Sequence, residues 1–275
     1  MKSTTKFLAL ILVIGISFFS CKKKTDDEPV LDTDTSAARD YASTETVYTD
    51  AQDIAVEAGK YAANSSYTFP YSCATISLSG AAGTYPITAT VDFGTTNTTC
   101  FNGKTRKGTI TVVFTGAYDQ PSSQMTVTFT NFYVNDNKVN GTLTISNLTI
   151  NGSGNLTQTY AISSGSVLYS DGSTATLSGS LSMEWTAGRG TLSYTDDVFM
   201  ISGNATGVST SGTSYSMTIG NRIMISGACK YITQGTVTLA ISGKENRTIN
   251  FGTGACDNSV TVSIGSKEYT VALRE

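Results

Sequence analysis

Histidine is missing from all 275 residues. That absence removes Ser-His-Asp and Cys-His nucleophilic sites and every histidine-based metal site. The cysteines form no CxxC pair, so a thiolate zinc site is disfavoured as well. No GxxxxGK[ST] occurs and no Gly-rich loop opens a helix, which disfavours a mononucleotide site. Carboxylates are thin where a catalytic pair would be needed: 10 of the 21 acidic residues precede residue 58. Basic patches are missing beyond Lys22-Lys23-Lys24, so nucleic acid is not expected as a partner. These gaps together predict a chain that is not an enzyme and carries no cofactor or metal.

Long apolar runs are also scarce. The one present is a run of 13 residues, Phe7 to Phe19, preceded by Lys2 and Lys6. It is too short to span a bilayer and fits the h-region of a secretory signal. It ends at Ser20-Cys21, a small residue directly before a cysteine, which resembles a bacterial lipoprotein signal. The resemblance implies a signal peptide over 1–20 and acylation of Cys21 as the mature N-terminus. The mature chain would then be tethered to a membrane without spanning it. Its balance is 16 basic against 21 acidic side chains, a net charge of −5. Residues 21–36, CKKKTDDEPVLDTDTS, are charged and nearly free of apolar content, and are expected to be a solvated tether.

Residues 37–60 carry the helical signal. Tyr41, Tyr48, Ala51, Ile54, Ala55 and Ala58 recur at helical spacing, with Asp, Glu and Thr on the other side. Asp34, Thr35 and Ser36 are N-cap candidates, and Gly59 a stop. The narrow stripe of Ala and Tyr suits packing against a sheet and predicts a plug or brace, not a binding helix.

From Tyr67 onward the period becomes 2. ITATVDF, TITVVF, MTVTFTNF, TLTISNLTI, TVTLAIS and SVTVSI alternate apolar with Thr, Ser or Asn. Turn dipeptides bound them at Asn102-Gly103, Asn140-Gly141, Asn151-Gly152, Asp171-Gly172, Ser211-Gly212 and Gly265-Ser266. The expectation is an all-β domain over 37–275: an antiparallel meander of about 11–13 strands with one N-terminal helix. Open sheet, sandwich and half-barrel all fit this pattern.

With Cys21 acylated, Cys73, Cys100, Cys229 and Cys256 remain, and an even count in an exported chain favours two disulfides. Four cysteines allow three pairings. The steps 73 to 100 and 229 to 256 are equal, and the segments they bound echo each other. Val91-Asp92-Phe93-Gly94 and Ile249-Asn250-Phe251-Gly252 each precede a Gly/Thr-rich loop, a cysteine and a strand. A hairpin brings its ends together, so pairing within each copy is the preferred reading: one stapled hairpin, used twice.

Acid–base chemistry needs only a pair of carboxylates. Asp92 is matched by Asn250 in the second copy, so a shared role there needs no ionisable group. Asp196-Asp197 fit an ordinary turn, and Glu184 the polar face of a strand. Calcium ligation from 196–198 or 253–258 lacks dense Asx spacing. Tyr133, Tyr160, Tyr169, Tyr194, Tyr215 and Phe132 were candidates for a wet aromatic face that stacks on sugar rings, against the plainer reading of half-buried strand residues.

The lipobox ending at Cys21, CATISL at 73–78, VDFG at 91–94 with Cys100, Asn102-Gly103 and Arg106, TFTNFYVN at 128–135 and FGTGACDN at 251–258 resemble an uncharacterised group of Bacteroidota outer-membrane or surface lipoproteins. The resemblance covers 70–275 and lends no activity. The expected function is an outer-membrane-anchored, surface-exposed binding or structural module with a glycan or protein ligand. The alternative is a periplasmic lipid carrier with an apolar half-barrel cavity.

Overall fold

The computed structural model describes residues 32–274. The signal segment 1–20, Cys21 and the tether up to residue 31 lie outside the described residues.

Helix α1 spans Ser36–Ala63 and is followed by fourteen strands. They are β1 Thr75–Leu78, β2 Ile87–Asp92, β3 Thr98–Thr99, β4 Thr105–Phe114, β5 Met125–Val134, β6 Asn137–Ile150 and β7 Leu156–Leu168. The series continues with β8 Thr174–Ala187, β9 Val198–Val208, β10 Ser214–Ser226, β11 Gln234–Ala240, β12 Arg247–Thr253, β13 Ser259–Ile264 and β14 Lys267–Ala272. All belong to one antiparallel sheet in chain order, with the two-residue β3 pairing to the start of β4 off the main path. This is the expected meander, in its open-sheet form and with slightly more strands.

Period-2 alternation sets the two faces. In β2, Ile87, Ala89 and Val91 are buried; in β13, Val260, Val262 and Ile264 are. The intervening Thr and Ser face outward, so one sheet face is apolar and the other is wet. Periodicity does not show how strongly the sheet curls. Residues inside strands adopt left-handed backbone at Asn131, Asn147 and Ser164 (φ 45, 56 and 50°). The register shifts beside each of them, marking bulges that bend the sheet. Asn140-Gly141, expected as a turn, is another such irregularity inside β6. The hairpin itself turns at Asn135-Asp136, two successive left-handed residues (φ 48 and 62°), as a type I′ turn requires.

The apolar face closes on α1. Tyr48 donates to the Asn140 carbonyl on β6 at 2.5 Å, and Lys60 to Asp197 before β9 at 2.9 Å. Asp40 accepts from the Thr210 amide after β9 at 2.8 Å and from Arg274 after β14 at 2.9 Å. The helix is thus contacted by sheet residues far apart in the chain. It is the expected plug, but its polar side does not face water. Asp40, Thr44, Glu45, Asp50, Gln52, Glu57 and Lys60 are all buried. The helix also runs through Gly59 to Ala63. Gly59 does not end the helix; it makes room, because a Cβ there would lie 2.4 Å from the Cβ of Tyr118.

The end of the expected tether is docked as well. The Arg247 guanidinium, fully buried, meets Asp32 at 2.5 Å and donates to the Asp34 carbonyl at 3.2 Å. Asp34 also takes the Ser36 amide at 3.0 Å, while Thr35, the N-cap residue, makes no side-chain capping bond.

Candidate functional site: a cavity between two stapled hairpins

Cys73 is bonded to Cys100 and Cys229 to Cys256, with Cα separations of 5.1 and 5.7 Å. Within each copy the residue before Phe makes the same bond. Asp92 Oδ1 accepts the Gly94 amide and Asn250 Oδ1 the Gly252 amide, both at 2.9 Å. Both glycines are left-handed (φ 77 and 91°). The bond is an Asx turn, which an amide oxygen makes as well as a carboxylate. The echo is therefore a scaffold element, and Asp92 is part of a turn.

The two copies approach each other over α1. From the first come Phe101, Asn102 and Lys104; from the second come Cys229, Lys230, Tyr231 and Cys256. Together with Tyr71, Tyr194 and the helix residues Asp50 and Asp53 they enclose a cavity of about 280 Å³. That lies just below the ~300–1,000 Å³ range typical of small-molecule sites. Phe101 packs at 5.1 Å against both Tyr71 and Tyr194, edge to face.

The electrostatics of the floor are set by helical spacing. Asp50, Asp53 and Glu57 lie on one side of α1, three and four residues apart. Arg106 reaches Asp50 in a fork, Nη2 to Oδ1 at 2.6 Å and to Oδ2 at 2.9 Å, and Lys104 adds a third contact at 2.9 Å. Burial alone would raise the Asp50 pKa, but the two cations outweigh it and hold it at about 2. Lys60 sits between Glu57 and Asp197, 2.9 Å from each, and Tyr67 donates to Glu57. Burial pushes Asp197 up to about 6 against the Lys60 hydrogen bond. Asp53 lies between these groups, facing the cavity, with no hydrogen bond or ion pair among the described residues. Burial first, then the Asp50, Glu57 and Asp197 charges, push its carboxyl well above the usual range, with only Lys104 opposing.

The residues singled out for chemistry in the sequence are scattered. Glu184 is on the outer face, where it accepts from Asn151, Asn155 and Arg222 at 2.9, 2.8 and 2.5 Å. It ties the β6–β7 turn to β8 and β10. Asp196 takes a bond from Thr191 in an exposed loop, and Asp197 points inward to Lys60. Tyr160, Tyr169, Tyr215 and Phe132 are buried under the sheet. The wet face does not carry them, because each falls on the inward parity of its strand or turn. Tyr133 is on the outer face between Lys107 and Lys138, and only Tyr194 reaches the cavity. Asp50, Asp53, Lys104 and Arg106 are the site residues that no motif in the sequence marks as a group. The Asp50–Asp53–Glu57 spacing is the available signal, since it aligns three carboxyls along one side of a helix. Among the described residues no group of three His, Cys, Asp or Glu is placed to hold a metal.

Comparison with protein families, with curated proteins and with solved structures returns no match.

Proposed function

We propose that the protein is an outer-membrane-anchored lipoprotein, displayed at the cell surface, whose β domain binds a small polar ligand such as a sugar unit. The observation that carries the binding reading is the aromatic-walled cavity with an unengaged carboxyl, held open between two disulfide-stapled hairpins. Aromatic rings take the CH faces of a sugar, while Asp53 and Asn102 supply hydrogen-bonding groups for its hydroxyls. Anchoring rests on the lipobox and Cys21. The lipid-carrier reading needs an open apolar trough, and α1 occupies the apolar concave face.

Two measurements test this. Protease shaving of intact cells should reach the domain; protection until the outer membrane is opened would reverse the display assignment. Calorimetric titration of the purified full-length protein against monosaccharides and short glycans should give binding that Phe101→Ala and Tyr194→Ala weaken by about tenfold, the loss of roughly 1.4 kcal/mol. Binding that neither substitution changes would put the ligand elsewhere.

A further inference from the structure

The charges around the cavity are unevenly paired. Asp50 and Asp53 line it, with Glu57 and Asp197 behind Asp53. Four cations lie near them, Arg106, Lys104, Lys60 and Lys230. Arg106 and Lys104 are both spent on Asp50, and Lys60 is shared between Glu57 and Asp197. Lys230, on the wall, holds its Nζ over the Tyr231 ring at 5.0 Å. Asp53, which lines the cavity, makes no ion pair among the described residues.

The surrounding rings already receive cations. The Arg106 guanidinium lies 5.3 Å from the centroid of Tyr71, which also lines the cavity. Ring faces attract positive charge, more so where water is excluded. A carboxyl flanked by Tyr71, Phe101 and Tyr194 is therefore the arrangement that recognises an organic cation. An anionic ligand would face the Asp53 carboxyl, with Lys104 paired to Asp50 and Lys230 engaged at the Tyr231 ring. A neutral ligand would leave the Asp53 carboxylate without a counter-charge in the cavity, or protonated.

Building on the sugar-unit reading above, we propose that the ligand of this cavity carries a positively charged nitrogen, an amino-sugar or alkylammonium group, seated on Asp53 beside the packed Phe101 and Tyr194 rings. In the empty site, desolvation and the neighbouring carboxyls Asp50, Glu57 and Asp197 push the Asp53 carboxyl well above its usual range, with Lys104 opposing, and so favour its protonated form. Loading exchanges that proton for the cation: the O–H bond of Asp53 breaks, the proton goes to solvent, and the ammonium takes its place. Affinity then rises with pH while Asp53 is protonated in the empty site.

The test uses matched pairs on the purified full-length protein at pH 7: glucosamine against glucose, and choline against the neutral 3,3-dimethylbutan-1-ol. The cationic member of at least one pair is expected to bind ten or more times tighter. Titration in two buffers of different ionisation heat should show proton release on binding. Asp53→Asn should abolish both the preference and the proton release. It replaces a carboxyl whose surroundings favour its neutral form with a neutral amide of the same size, so its melting temperature should not fall. Equal affinity for both members of each pair, or a preference surviving in Asp53→Asn, overturns the inference and leaves the sugar-unit reading standing. Failure of all four probes to bind, with no response to a wider glycan set, removes both. The wild-type comparison stands alone if the variant does not fold.

Discussion

The two stapled hairpins have loops of the same length and the same Asx turn, yet they do different work. Each copy is accompanied by one fully buried arginine: Arg106 on β4 after the first staple, Arg247 at the start of β12 in the second. Arg106 reaches the middle of α1 and forks onto Asp50, which is itself buried. Arg247 reaches the entry of the helix and meets Asp32, which is partly exposed, together with main-chain carbonyls. One motif thus fixes the centre of the plug and the other its start. A repeated element can keep its scaffold bonds while its charged side chain is re-aimed at a different target.

The largest expected effect separates the two arginines. Asp50→Ala would strand Arg106 and Lys104 in the interior and should cost about 3–5 kcal/mol. Asp32→Ala leaves Arg247 its carbonyl partners and should cost about 1.5–3 kcal/mol, the worth of one hydrogen bond to a charged group. Urea unfolding of the two variants measures the gap; equal losses would erase the distinction drawn between the hairpins.

Next come the staples. Both close a separation of 27 residues, so chain entropy assigns each about 3.5 kcal/mol. Cys73→Ser/Cys100→Ser and Cys229→Ser/Cys256→Ser should therefore lower stability by similar amounts. A gap above about 1 kcal/mol would mean that packing around one staple, and not loop closure, carries its effect.

The pH response sharpens the comparison from the helix side. Asp50 and Glu45 are both buried on α1, but only Asp50 meets the cations of the first hairpin. Glu45 has no hydrogen-bond partner and is pushed up to about 8 by burial. Its folded pKa lies above its unfolded value near 4.5. The folded state then holds a proton that the unfolded chain releases, so Glu45 makes stability fall as pH rises from about 4.5 to about 8. Asp50 has the opposite sign: its contribution is present above pH 4 and is lost as pH falls toward about 2. Glu45→Gln should flatten the decline between pH 5 and 8, as read by melting temperature against pH. An unchanged slope would place that titration on another group.

The smallest effect concerns what the hairpins share. Asp92→Ala and Asn250→Ala should each cost about 1 kcal/mol, one turn hydrogen bond. Asp92→Asn and Asn250→Asp should stay within about 0.5 kcal/mol, as for surface changes that keep the acceptor. A large loss for Asp92→Asn would show that the carboxylate has a role its counterpart lacks.

Strand alternation was legible in the sequence because a period of 2 reports directly which side chains share a face. The staples were legible because equal spacing and repeated flanking residues marked two hairpins, and the Asp92/Asn250 match because an Asx turn is a local bond. The limits of the helix were less so. Gly59 looked like a stop, since glycine is a poor helix former; it is retained inside the helix because the Tyr118 side chain comes too close for a Cβ. Asn140-Gly141 looked like a turn for the same local reason and is a bend within β6.

By itself, then, the sequence determined an antiparallel meander with one amphipathic helix, two hairpin staples and the face each strand residue takes. Those properties depend on neighbours in the chain. Tertiary structure alone decided the fate of the polar side of the helix. Bulges at Asn131, Asn147 and Ser164 curl the sheet until it covers that side. Contacts spanning 56 residues between Arg106 and Asp50, and 137 between Asp197 and Lys60, then determine which helix carboxyls are paired, while Asp53 makes no ion pair among the described residues. Charge pairing at such separations is set by the curvature of the whole sheet, and no local pattern encodes it.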